Sequence, residues 1–167
     1  WGPTMMLRTF DLSLTEVGAT LGIVTILCSI AGTFLAGFSV DWLSEKGYND
    51  APLRAAICAC LLALPMIVLA PIMQYALLSW CFIGLYLMFI SAYATLSLLA
   101  VGRMAGPNLR GQLTAVFALL MMLFGLTLGP QLTALITDFV FADARALNWS
   151  ISVTGGLTLP IAAWLFT

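Results

Sequence analysis

The sequence predicts an all-α membrane protein, a polytopic helix bundle, and three observations carry that prediction. The chain is 62% hydrophobic and 8% charged, with a mean hydropathy of +1.09. Its charges are gathered at Arg8, Asp11 and Glu16, between Asp41 and Arg54, at Arg103 and Arg110, and between Asp138 and Arg145. Between these clusters lie the uncharged runs Val17–Val40, Ala55–Gly102 and Gly111–Thr137. A soluble domain keeps itself dispersed with a charged surface, and 6 basic and 7 acidic residues cannot cover one here. Crossing a hydrocarbon core of about 30 Å takes roughly 20 helical residues, which each run supplies. Backbone groups in lipid must bond internally, so the runs are helices. The strict alternation of a membrane barrel is absent.

The elements follow in order. Residues 1–8 read as the last turns of a truncated helix. Ser13-x-x-Glu16 is a capping-box signature and opens a helix over 14–42. Leu43–Ala51 is polar and forms a loop. Pro52 suits the first turn of the next helix, which covers 53–71. The long middle run divides at Ala70–Tyr75, where Pro71 and Gln74 mark a turn, and a helix follows over 75–103. Gly106-Pro107-Asn108 is a tight turn before a helix over 110–141. The last helix covers 148–167. The chain opens on Trp1 and stops at Thr167, both inside apolar stretches, and so reads as a piece of something longer.

Helices joined by short loops alternate in direction. The Leu43–Arg54 and Arg103–Arg110 loops therefore share one side, with Lys46, Arg54, Arg103 and Arg110. The other side has Arg8 and Arg145. Positive charge favours the cytoplasmic face, so loops 43–54 and 103–110 are expected there, in an integral protein of the plasma (inner) membrane.

Other classes find little support. Net charge is −1 and no basic run exists to hold nucleic acid. Cys28, Cys58, Cys60 and Cys81 all lie in apolar runs and read as small apolar residues. There is no histidine, and no metal site or cofactor is expected. A membrane-embedded enzyme would need a nucleophile, base or metal ligands within the spans. The spans hold no histidine and no carboxylate near their middles.

Small residues mark two helices. Gly18, Gly22, Thr25, Ser29, Gly32 and Ala36 repeat at spacings that keep one face. Gly111, Ala115, Ala118, Met122, Gly125 and Gly129, followed by Pro130, repeat the design. Packing drives helix association in bilayers, and small residues let backbones approach. Two readings stand: packing inside this bundle, or contact with a partner outside it. The helix over 110–141 also presents Thr127, Gln131 and Asp138 on a second, polar face, expensive against lipid. It is therefore expected to be enclosed by protein or cavity all round. The helix over 75–103 aligns Ser79, Tyr86, Tyr93 and Ser97. The tyrosines lie mid-helix, away from the interfacial belt. They either bond a neighbouring helix or form a cavity wall.

One loop is specific. Gly37-x-x-x-Asp41-Trp42-Leu43-x-x-Lys46-Gly47 resembles the G-x-x-x-D-R-x-G-R-R/K loop of the major facilitator superfamily, with Trp42 where arginine is usual. Arg110-Gly111, Gly125-x-x-x-Gly129-Pro130 and Asp138 look like the fifth helix of a six-helix repeat. Trp1-x-Pro3, Arg8, Leu12-Ser13 and Val17-Gly18 look like the junction after the first. In this order the motifs resemble the C-terminal half of such a transporter, from the end of helix seven to helix twelve. The spinster-like branch is the nearest, and the anion–cation symporters share much of the junction.

The resemblance implies a carrier that rocks two halves about a central site, with the N-terminal six-helix half as partner. Helices eight and eleven would line the interface between halves, helix ten would flank the cavity, and helices nine and twelve would face lipid. Asp41 would be a gate residue beside Gly37, Lys46 and Arg110. Substrate-cavity candidates are Thr25, Ser29, Tyr86, Tyr93, Ser97, Thr127 and Gln131. No cation sits mid-span to clamp an anion, which favours a small, uncharged or amphipathic, lipid-like solute. The alternatives are an organic-anion symporter of the same superfamily and a non-transporting sensor or scaffold.

Overall fold

The computed structural model describes residues 2–10, 13–73, 75–106, 108–136 and 147–165. Six α-helices account for most of them: α1 (Gly2–Phe10), α2 (Leu14–Glu45), α3 (Ala51–Leu69), α4 (Ala76–Met104), α5 (Arg110–Leu135) and α6 (Leu147–Leu165). A 3-10 turn, Ala70–Ile72, separates α3 from α4. No strand occurs among the described residues. The helices α2, α4 and α5, and α3 with its 3-10 turn, are long and apolar enough to cross a membrane. The chain is an all-α polytopic membrane bundle. Trp1, Asp11, Leu12, Gln74, Pro107, Asp138 and Arg145 lie outside the described residues, as does the expected stretch of α5 beyond Ile136.

Helix ends follow local chemistry. The Ser13 hydroxyl accepts from the Glu16 amide at 3.3 Å, and the Ser13 amide donates to the Glu16 carboxylate at 3.0 Å. This reciprocal box starts α2. α2 runs past the expected end at Trp42 because its stop is a glycine. Gly47 adopts φ +85°, the Gly47 amide donates to Ser44 O (3.0 Å), and the Tyr48 amide donates to Leu43 O (3.2 Å). These two bonds form a Schellman cap, which needs the left-handed backbone that glycine allows. Pro52 sits in the first turn of α3.

The most extensive pairing in the bundle is α3 on α4, and two further crossings complete it. α2 meets α4 where both carry glycine. A Cβ at Gly32 would collide with the Met88 carbonyl, and one at Gly84 would lie 3.2 Å from Cys28 Sγ. At the same crossing the Ser91 hydroxyl donates to Ser29 O at 3.1 Å. α3 meets α6 in antiparallel fashion. Ser152 donates to Val68 O at 3.0 Å and the Cys60 thiol to Leu159 O at 3.3 Å. There a Cβ at Gly155 would press on Ile67.

The core is layered along the bundle. Ala36 and Val40 of α2 pack with Ala51, Ala55, Ala56 and Ala59 of α3 and with Ala92 and Leu96 of α4. Cys60, Ala63 and Leu159 form a middle layer with Tyr86 and Tyr93 against it. Met6 and Val17 close the far end with Trp80 and Ile151. The first layer joins the end of α2 to the start of α3, and Gly102 of α4 lies against Thr114 of α5. The loops after α2 and after α4 therefore lie at the same end of the bundle.

Two expectations about exposure look different within this chain. α3 is packed on both α4 and α6, and only one side of it, with Leu61 and Leu62, is exposed. α5, expected to be enclosed all round, is the least covered of the spans: none of its most apolar window is buried.

Candidate solute cavity and the open helix edges

All six helices converge on one cavity of about 490 Å³. It lies in the half of the bundle away from the Leu43–Arg54 loop. α1 reaches it through Pro3, α2 through Leu21 and Thr25, and α4 through Ile83, Tyr86 and Leu87. α5 contributes Gly129, Pro130 and Thr133, while α6 contributes Thr154, Gly155 and Thr158. α3 adds Ile67, and the 3-10 turn after it adds Ala70. Among the described residues, no Asp, Glu, Lys or Arg lines it.

The lining hydroxyls fall into two groups. Thr133 donates to Gly129 O (3.1 Å), Thr154 to Ser150 O (2.7 Å) and Thr158 to Thr154 O (2.8 Å). Each is tied back to its own helix. Thr25 and Tyr86 make no hydrogen bond to any described residue, and neither oxygen is sealed from the space around it.

The structure divides the residues singled out in the sequence. Thr25, Tyr86, Gly129 and Pro130 come together at the cavity. Ser29 sits at the α2–α4 crossing, its carbonyl accepting from Thr33 and Ser91. Tyr93 packs between the alanine layer and the Cys60 layer. Buried Ser97 donates to Tyr93 O at 2.8 Å, and buried Ser79 donates across to Ala70 O at 2.8 Å. Thr127 and Gln131 are exposed and outside the cavity lining. Gly37 and Asp41 are exposed at the end of α2. The Lys46 ammonium stands 3.5 Å over the Trp42 ring. Arg110 is exposed at the first turn of α5.

The small-residue edges also divide. Gly32 is filled by α4. At Gly18, Gly22, Gly111, Gly125 and Gly129 an added Cβ would meet nothing within 4 Å. Gly129 borders the cavity, and at the other four the described residues leave the edges of α2 and α5 open.

Sequence reasoning missed Thr133, Thr154, Thr158 and the Gly155 contact. Thr154-x-x-x-Thr158 beside Gly155-Gly156 is the same kind of stripe as that on α2. It was legible by the spacing used there.

The comparisons with known proteins bear on this geometry. The chain is 27% identical over 146 residues to a protein described as an MFS-type efflux pump from Mycolicibacterium smegmatis (strain ATCC 700084 / mc(2)155). The alignment takes in 87% of this chain and 34% of that protein, so the chain spans about a third of the length of the curated relative it matches. No family model matches the chain, and no solved structure matches it.

Proposed function

We propose that this bundle is one part of a secondary transporter of the major facilitator type, corresponding to its C-terminal six helices and working by alternating access. The observation that carries the reading is the similarity to an MFS-type efflux pump across 87% of this chain but only 34% of that protein. The open edges of α2 and α5 support it. Glycines that face no neighbour give no advantage against lipid, because acyl chains pack on leucine equally well. The Gln131 amide has no partner among the described residues, and at membrane depth it calls for protein or a polar passage beside it. A second bundle against these edges would meet both demands. The junction around Trp1, Pro3 and Ser13 makes the spinster-like branch the working assignment.

In this mechanism the two bundles rock about the passage between them. Asp41 lies one turn before the end of α2, near the loop that carries Lys46. Its carboxylate accepts hydrogen bonds from the amino end of a helix in the other bundle when that side is shut. The loops after α2 and α4 are cytoplasmic in this reading, by their four basic residues. The cargo is a small, uncharged or amphipathic molecule, since no charged side chain among the described residues lines the cavity.

The test is solute flux by the full-length protein in proteoliposomes. The whole protein is expected to move an amphipathic solute, and this chain alone is expected to move none. Flux from this chain alone overturns the reading. Asp41→Asn is expected to reduce the outward-open population. Unchanged labelling of cysteines placed at the loop end of the bundle would remove the gate.

A further inference from the structure

We infer that the six-helix cavity is itself a binding site for one uncharged molecule with an apolar body and a single hydrogen-bonding head, and that the hydroxyls of Tyr86 and Thr25 hold that head. The inference deepens the carrier reading and rests on it only for the ligand's being cargo. Every helix of this chain contributes to its wall, α3 and α6 as well as α1, α2, α4 and α5.

The hydroxyls supply the argument. In a bundle where Ser79, Ser91, Ser97 and Ser152 each reach a backbone carbonyl, two lining hydroxyls stay uncommitted. Both belong to one cavity, on helices that cross each other. A hydroxyl in apolar surroundings without a partner is unfavourable, and a carbonyl or hydroxyl on a ligand relieves that at both positions. The rest of the wall is aliphatic or is threonine already bonded to its own helix. A carboxylate or ammonium would lose its hydration here and meet no opposite charge. The volume lies within the range of about 300–1,000 Å³ that small-molecule sites occupy.

The experiment uses the full-length protein in phosphatidylcholine vesicles and benzophenone, an uncharged diaryl ketone that inserts into nearby C–H bonds on illumination. Peptide mapping reads the labelled positions. Labelling at Ile83 and Leu87 is expected to saturate with concentration, while exposed Phe34 and Leu119 are labelled in proportion to it. Tyr86→Phe and Thr25→Val are each expected to raise the half-saturating concentration about five- to ten-fold, the scale of one hydrogen bond. Leu87→Trp, which fills the space, is expected to abolish saturable labelling at Ile83. Labelling at Phe34 and Leu119 should stay unchanged in every variant, which controls for folding.

Benzoylbenzoate has the same rings with a carboxylate, and it should not compete. Linear labelling at Ile83, or none because another part of the protein fills the space, overturns the inference. Variants that label as the parent does, or equal competition by benzoylbenzoate, also overturn it. Saturable, Tyr86-dependent labelling in a protein that carries no solute keeps the site and removes the carrier reading. Flux without saturable labelling does the reverse.

Discussion

Gly32 and Gly18 belong to one stripe and have opposite surroundings. Any side chain at Gly32 runs into the Met88 carbonyl, which is backbone and cannot turn aside. Gly32→Ala is expected to destabilise the bundle by about 1–3 kcal/mol, the usual range for overpacking, whereas Gly18→Ala should not lower its stability, since alanine is the better helix former where space is open. Thermal unfolding in detergent checks both. The Ser13 cap is a second single-residue test: Ser13→Ala removes the acceptor for the Glu16 amide and should lower stability by about 1 kcal/mol.

Where the loop after α2 meets the first turn of α3, Arg54 Nε donates to Asp50 at 2.7 Å. That hydrogen bond is the main reason the Asp50 carboxyl titrates below its ordinary value. A carboxylate lowered in the folded state contributes stability above its unfolded pKa and loses it as pH falls through the folded one. The loop contact should therefore survive mild acid and disappear only below the usual aspartate range. Asp50→Asn should abolish that acid transition in a fluorescence titration of the loop.

At the scale of elements, serine and cysteine donors hold helices to one another through the partner's backbone carbonyls. Such bonds in membranes average about 0.6 kcal/mol, so Ser152→Ala should weaken the α3–α6 crossing by about that amount. Gly155→Leu should do more, because Ile67 already occupies the space. Both are read by thermal unfolding. The existence of these helices was legible in the sequence, since charge clusters and uncharged runs mark where lipid begins. Their ends were less so. Polarity rises after Trp42, yet helices end where backbone carbonyls find other donors, and Gly47 supplies that turn. The tyrosine stripe was legible as a face, but Tyr86 and Tyr93, nearly in line along α4, meet different neighbours: one borders a cavity and the other packs against alanines.

For the whole molecule, the open edges of α2 and α5 predict assembly. Gly125→Leu adds bulk where no described residue stands within 4 Å, so in the proposed carrier it should spare the bundle's own thermal stability and reduce co-purification with the other bundle expressed as a separate fragment. Unchanged co-purification would mean that this edge faces lipid.

The amino-acid sequence by itself determined that the chain lives in a bilayer, how many helices it forms, and which helices carry small or polar stripes. Those properties depend on composition and local periodicity, which a single helix expresses without neighbours. Only the tertiary structure decided which stripe residues are covered and which hydroxyls remain uncommitted. It also decided that α6, plain in composition, forms part of the cavity wall. Burial and hydrogen bonding depend on which residues of distant segments meet at a crossing, and a helix of a given sequence is compatible with many such neighbours.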